Sequence, residues 1–175
     1  MDRIELRLSG SGGQGLILAG IILAEAALYD GMNVVQSQSY GPEARGGASK
    51  AEVIISKSEI KYPKVNKCDI LLSLTQVACN KYIDLLKMGG TLIIDDSVEI
   101  PDRDDINIYK LPILETAADK LKKPMVANIV ALGAIFKITE IVNKDSLERA
   151  VLDRVPKGTE NLNKMALEEG FLLIN

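Results

Sequence analysis

The 175 residues include no histidine and no tryptophan. A reaction that needs a histidine base, a histidine-activated nucleophile or a histidine-ligated metal is therefore not one these residues can run alone. Cysteine is nearly as scarce. Cys68 and Cys79 stand eleven positions apart beside apolar segments, and neither their number nor their spacing makes a zinc or iron–sulfur site. They read as reduced cysteines buried in a core, and no metal ligand set is expected. Long apolar runs are missing too: Leu16 to Ala24 is interrupted by Glu25, short of the ~20 residues that span a bilayer. The opening Met1-Asp2-Arg3-Ile4-Glu5 lacks the charged-then-apolar pattern of a secretory signal, which points to a cytoplasmic protein with no membrane partner. With 21 basic and 24 acidic residues well mixed and a net charge of −3, there is no basic stripe to bind nucleic acid. Repeats, low-complexity tracts and long linkers are absent as well, so residues 1–175 read as one domain, long enough to bury a core without disulfides or metals.

What is present is organised around the N-terminus. Ile4 to Leu8 reads as a short strand, Gly10-Ser11-Gly12-Gly13-Gln14-Gly15 as a turn, and Leu16 to Tyr29 as a helix. Glycines between a strand and a helix allow a sharp turn and leave no Cβ to obstruct a close ligand. The first N–H groups of the helix then point outward at its positive end, where a phosphate, pyrophosphate or carboxylate is favoured. Gly10, Gly12 and Gly15 also fit GxGxxG, the fingerprint of Rossmann-like dinucleotide-binding βαβ units. That reading requires an acidic residue roughly 20 positions further on. Val34 to Ser39 stands there instead, with no carboxylate before Glu43, which weighs against NAD. A purely structural role for the glycines, a tight crossover with close helix–sheet packing, stays open.

The helix Leu16 to Tyr29 is apolar nearly all round, so it should be covered on more than one side, with Gly31 in the left-handed position after it. Asn33 to Ser39 is the second strand and Ala51 to Ser56 the third. Between them, Tyr40-Gly41-Pro42-Glu43-Ala44-Arg45-Gly46-Gly47 is either a wide hairpin connection or a functional loop. The second is preferred, because Arg45 beside two glycines can offer its planar fork to an anion. Ile70 to Leu74 reads as a buried strand, Gln76 to Met88 as a helix closed by Gly89-Gly90, and Thr91 to Ile94 as another strand. Asp95-Asp96 follows at a carboxyl end, as site residues, helix caps or a solvated turn. Asn107 to Leu111 is the last strand. The C-terminal third reads as helices over Ile113–Lys122, Ile129–Val142 capped by Asn128, Ser146–Arg154 with an Asp145/Glu148 capping box, and Glu160–Glu169 ending at Gly170. The alternation predicts an α/β fold with a doubly wound, mostly parallel sheet, a Rossmann-like N-terminal βαβ unit and a helical C-terminal third.

Three segments carry a resemblance. Ile4-Glu5-Leu6-Arg7-Leu8-Ser9-Gly10-Ser11-Gly12-Gly13-Gln14-Gly15, the loop Ser39 to Gly47, and Asn128-Ile129-Val130-Ala131-Leu132-Gly133-Ala134 together resemble the gamma subunit of 2-oxoacid:ferredoxin oxidoreductases. The likeness covers essentially the whole chain and is greatest to the 2-oxoglutarate members, with pyruvate or branched-chain enzymes as the near alternative.

The resemblance implies one subunit of a hetero-oligomeric oxidoreductase that decarboxylates a 2-oxoacid on thiamine diphosphate, passes the acyl group to coenzyme A and sends electrons through iron–sulfur clusters to ferredoxin. This chain would bind none of the metal or thiamine groups itself; thiamine diphosphate, magnesium and the clusters would sit on alpha, beta and delta partners. It would supply no catalytic residue and be inactive alone. Gly10, Ser11, Gly12, Gly13, Gln14 and Gly15 would offer backbone donors to an anionic group such as a coenzyme A phosphate. Tyr40, Gly41, Pro42, Glu43, Arg45, Gly46 and Gly47 would reach an inter-subunit active site, with Arg45 as anion contact and Glu43 as its possible ion-pair partner. The competing readings are a stand-alone nucleotide- or coenzyme A-binding module and a pure assembly scaffold.

Overall fold

Side chains alternate in character along the first strand, β1 (Arg3–Gly10), and that alternation divides the molecule into two layers. Leu6 and Leu8 enter the larger apolar core on one face of the sheet, while Glu5, Arg7 and Ser9 lie on the other. A computed structural model describes residues 2–39 and 47–174. After β1 come α1 (Leu16–Tyr29), β2 (Asn33–Gln38), β3 (Ser49–Ser56), β4 (Cys68–Ser73), α2 (Gln76–Tyr82), β5 (Leu86–Asp95) and β6 (Asn107–Leu111). A short helix α3 (Ile113–Glu115) runs into a π-helical turn over Thr116–Lys120, followed by α4 (Ala127–Thr139), α5 (Lys144–Arg154) and α6 (Glu160–Leu172).

Among the described residues, six strands form one sheet in the order β2-β3-β1-β4-β5-β6. β1, β4, β5 and β6 are parallel neighbours, and β3 runs antiparallel to both β1 and β2. The sheet is thus mostly parallel, as predicted, with one refinement. β2 does run parallel to β1 across helix α1, but β3 is inserted between them, so the N-terminal βαβ unit is not closed by adjacent strands.

Helices α1, α4, α5 and α6 cover one face, and α2 with residues 57–67 covers the other. Helix α1 is apolar all round because it is enclosed: strands β2 and β3 lie beneath it, α5 packs alongside, and Ile22, Leu23, Ala26 and Ala27 are buried. Each fully buried aliphatic side chain of this kind contributes roughly 1.5–3 kcal/mol. At the end of α1, Gly31 takes φ 76°, the left-handed conformation expected of it.

Several predicted boundaries differ. The helix from Gln76 stops at Tyr82; a 3₁₀ turn covers Ile83–Leu85, and Leu86 to Met88 already belong to β5, so Gly89-Gly90 lie inside a strand. Gly89 has φ 73°, consistent with the irregular pairing of β5 with β4 between Cys68 and Ile70. Asn128 is not a cap. Helix α4 begins at Ala127 and ends at Thr139, with Asn128 buried in its first turn. The Asp145/Glu148 capping box is also absent; Asn143 holds the N-cap of α5. There the carboxylate of Asp30, at the end of α1, accepts from the Asn143 N–H at 2.6 Å and the Ser146 hydroxyl at 2.5 Å. Asp30 thus ties the end of α1 to the start of α5. Finally, α6 continues through Gly170 to Leu172, because Gly170 sits where α6 crosses α4 at Gly133.

Candidate functional site

The carboxyl ends of the parallel strands are where an open α/β sheet binds ligands, most often where the chain departs in opposite directions from one strand. Here β1 is that strand, with β3 on one side and β4 on the other. The glycine turn follows directly from its carboxyl end. Gly10 pairs with Ser49 at the start of β3, and the Ser39 N–H donates to the Lys50 carbonyl at 3.3 Å. Ser39 and Gly47, the described residues on either side of residues 40–46, therefore lie at the same sheet edge as the glycine turn. Tyr40, Gly41, Pro42, Glu43, Arg45 and Gly46 themselves lie outside the described residues; Gly47 is half-buried and leads into Ala48, whose carbonyl accepts from the Tyr82 hydroxyl.

Within the turn, Gly13 has φ 86° and Gly15 φ 72°, conformations that favour glycine. Gly12 and Gly13 are exposed. Gln14 folds back so that its Oε1 accepts from the Ser11 N–H at 2.8 Å, while the Gln14 N–H approaches the Ser11 carbonyl at 3.5 Å. Among the described residues, the N–H groups of Gly12, Gly13 and Gly15 have no acceptor. Helix α1 has Gly15 at its N-cap position with no side-chain cap, and its first turn holds no acidic residue. Its positive end is thus left uncompensated, a setting that suits an anion.

Opposite the turn lies a wall that sequence reasoning missed. Gly12, Gly13 and Gln14 face Leu114, Ala118, Pro124 and Met125 across a cleft of about 410 Å³. Asp95 holds this wall in place. Its carboxylate is buried and accepts from the Ser97 N–H and hydroxyl through Oδ1 and from the Leu114 N–H at 2.8 Å through Oδ2. Of the alternatives open for Asp95, the capping role is the observed one; Asp96 is exposed. A π-helical turn such as Thr116–Lys120 is often found at functional sites, and no sequence signal announces it.

Beneath the site, the second face of the sheet holds a buried ion pair. Arg7 is 1% exposed; its Nε donates to Glu52 Oε1 at 2.8 Å and its Nη2 to the Val65 carbonyl at 3.0 Å, while Nη1 has no hydrogen-bond partner among the described residues. Lys50 also reaches Glu52, at 2.8 Å. Both cysteines are buried and free, and burial pushes the Cys68 thiol up to about 11 and the Cys79 thiol upward as well. Among the described residues no group of three His, Cys, Asp or Glu side chains is arranged to hold a metal ion. No helix of the described residues is long and apolar enough to cross a membrane.

The sequence model of the pyruvate ferredoxin/flavodoxin oxidoreductase family matches residues 5–173. The chain belongs to that family. Among the oxidoreductase subunits it is similar to, 2-oxoglutarate synthase subunit KorC of Methanocaldococcus jannaschii is 53% identical, across 97% of this chain and 92% of that protein. Pyruvate synthase subunit PorC of the same organism is 30% identical, across 96% and 95%. The solved gamma subunit of a keto/oxoacid ferredoxin oxidoreductase from Geobacter sulfurreducens has the same fold, with a TM-score of 0.91 and 49% identity over 99% of this chain and 97% of that one. The resemblance to oxidoreductase gamma subunits read from the glycine turn and the Tyr-Gly-Pro-Glu-Ala-Arg-Gly-Gly loop is borne out, and the likeness favours the 2-oxoglutarate members over the pyruvate ones.

Proposed function

We propose that this chain is the gamma subunit of a cytoplasmic 2-oxoglutarate:ferredoxin oxidoreductase, a complex that converts 2-oxoglutarate and coenzyme A to succinyl-coenzyme A. The observation that carries this reading is the near full-length identity of 53% to a 2-oxoglutarate synthase subunit, against 30% to its pyruvate counterpart. In this reading the chain is one domain, inactive alone, and works with alpha, beta and delta subunits that hold thiamine diphosphate, magnesium and iron–sulfur clusters and pass electrons to ferredoxin.

Its own contribution is a binding surface at the carboxyl edge of the sheet. The N–H groups of Gly12, Gly13 and Gly15, which have no acceptor among the described residues, fit one phosphate of coenzyme A together with the uncapped start of α1. Coenzyme A, when bound, supplies the thiol that accepts the acyl group. The glycine turn would hold and orient its anionic end, and the segment Tyr40–Gly47 would contribute to the inter-subunit site, with Arg45 as a second anion contact. A free-standing dinucleotide module is disfavoured by two features: no acid ends β2, and β3 separates β2 from β1.

The test is recovery of this chain from its native extract under anaerobic conditions, with an assay of the recovered material for coenzyme A-dependent reduction of a low-potential dye across several 2-oxoacids. Thiamine- and cluster-bearing partners with 2-oxoglutarate as the best substrate are the expected result. Recovery of the chain alone, or a clear preference for pyruvate, would overturn the assignment.

A further inference from the structure

The glycine turn contains one side chain that reaches inward, Gln14, and its placement is unusually constrained. Its amide oxygen accepts from the Ser11 N–H at 2.8 Å. The same oxygen occupies the space above Gly10, where a Cβ would lie only 2.2 Å from it and also 3.1 Å from Leu16 Cδ1 and 3.3 Å from Leu74 Cβ. Gly10 is therefore the seat on which the Gln14 amide rests. The bond ties the two ends of the four-residue segment Ser11–Gln14 together, and the exposed residues Gly12 and Gly13 form its protruding tip. Of the turn's N–H groups, Ser11 is satisfied from within, while Gly12, Gly13 and Gly15 have no acceptor among the described residues.

We propose that Gln14 is a positioning residue of the anion site: by taking the Ser11 N–H with its own amide oxygen, it fixes the turn so that the Gly12, Gly13 and Gly15 N–H groups are the donors presented to the ligand. This rests on the reading of the glycine turn as the coenzyme A anion site. The physical gain is preorganisation: a turn already closed loses less freedom when the ligand binds. An amide also suits this place better than a carboxylate, since it accepts the same hydrogen bond without adding negative charge beside the ligand.

Two readouts test the proposal: exchange of the Ser11 amide hydrogen, followed by NMR on the full chain, and the dissociation constant of coenzyme A measured by calorimetry on the assembled complex. Gln14→Met keeps the length of the side chain and removes the acceptor. The Ser11 amide should then exchange about tenfold faster, and coenzyme A should bind about fivefold more weakly, the worth of one neutral hydrogen bond. Gly10→Ala leaves Gln14 intact but pushes it off its seat, and should reproduce both effects. Gln14→Glu keeps an acceptor, so Ser11 should stay protected while coenzyme A binds more weakly, with the loss greater at low salt than at high salt. An unchanged Ser11 exchange rate in Gln14→Met, or faster exchange with unchanged coenzyme A affinity, would overturn the role of Gln14. Gly13→Ala separates this from the site itself, because its methyl group enters open space at the exposed tip. Weaker coenzyme A binding in Gly13→Ala with none in Gln14→Met would remove only the role of Gln14. Unchanged binding in both would remove the glycine turn as the site.

Discussion

Asn128 lies 113 residues from Gly15 in sequence, yet its Nδ2 donates to the Gly15 carbonyl at 3.1 Å. Its side chain also fills the space beside that glycine: a Cβ at residue 15 would lie 2.5 Å from Nδ2 and 2.9 Å from Cγ. The start of α4 thereby holds the start of α1. Gly15→Ala should therefore suffer twice, from φ 72° and from the collision. We expect a loss of about 2–4 kcal/mol in urea denaturation, the sum of left-handed strain and overpacking. Gly13→Ala, with φ 86° and open space, should lose only about 1 kcal/mol from backbone strain. Equal losses in the two variants would show that Asn128 does not restrict residue 15.

That contact also marks the limit of what the sequence reveals. The strand–turn–helix unit was legible because glycine clusters and apolar runs act locally, and α1 and β6 begin and end where the residues predict. Asn128 read as a cap because a polar residue before an apolar run is the usual cap signal; its partner is distant and carries no local mark. Lys87 and Met88 read as helix for a similar reason, whereas they lie in β5 between Leu86 and Thr91, which pair with Cys68 and Ile70 of β4, and Lys87 forms an ion pair with Asp69 at 2.9 Å. The glycine half of the site was visible from the first residues. The facing wall of Leu114, Ala118, Pro124 and Met125 was not, because Asp95 and a π-helical turn place it.

The Arg7–Glu52 pair should behave as a buried ion pair. Glu52→Gln leaves Arg7 without a compensating charge, and a loss of about 3–5 kcal/mol is expected in denaturant titration. The double replacement Arg7→Met with Glu52→Leu should recover most of it, since apolar pairs of similar volume often equal such bridges. A double variant no more stable than Glu52→Gln would mean that the charges hold the second face together in some other way.

Helices α4 and α6 meet through glycine. A Cβ at Gly133 would lie 2.3 Å from the Leu167 carbonyl oxygen, and one at Gly170 would lie 2.2 Å from that of Val130. Because both obstacles are backbone, the helices must move apart. Gly133→Ala and Gly170→Ala should each cost about 1–3 kcal/mol or more and lower the melting temperature. A melting temperature unchanged in both would contradict the close crossing.

Tyr29 gives the fold a sensitivity to alkali. Its hydroxyl lies 2.8 Å from Asp153 Oδ2 and 3.0 Å from Glu25 Oε1. The hydrogen bond to Asp153 first, then burial, then Glu25, pushes the phenol from its ordinary value of 10.0 up to about 12. The neutral form is the one favoured by folding, so this contribution is fully present below pH 10 and is lost as the pH rises through 12. The stability difference between wild type and Tyr29→Phe should therefore shrink between pH 9 and pH 12. A difference that stays constant over that range would show that the phenol carries no such linkage.

The claim that this chain completes a shared site, and has no 2-oxoglutarate chemistry of its own, is tested most directly by omission. The complex would be reconstituted anaerobically from its separate subunits, with and without this chain, and assayed for 2-oxoglutarate- and coenzyme A-dependent reduction of a low-potential dye. The account predicts no activity from the chain alone, full activity from the complete set, and a severe loss with a weakened response to coenzyme A when this chain is left out. Turnover by the chain alone, or undiminished coenzyme A-dependent turnover without it, would contradict the account.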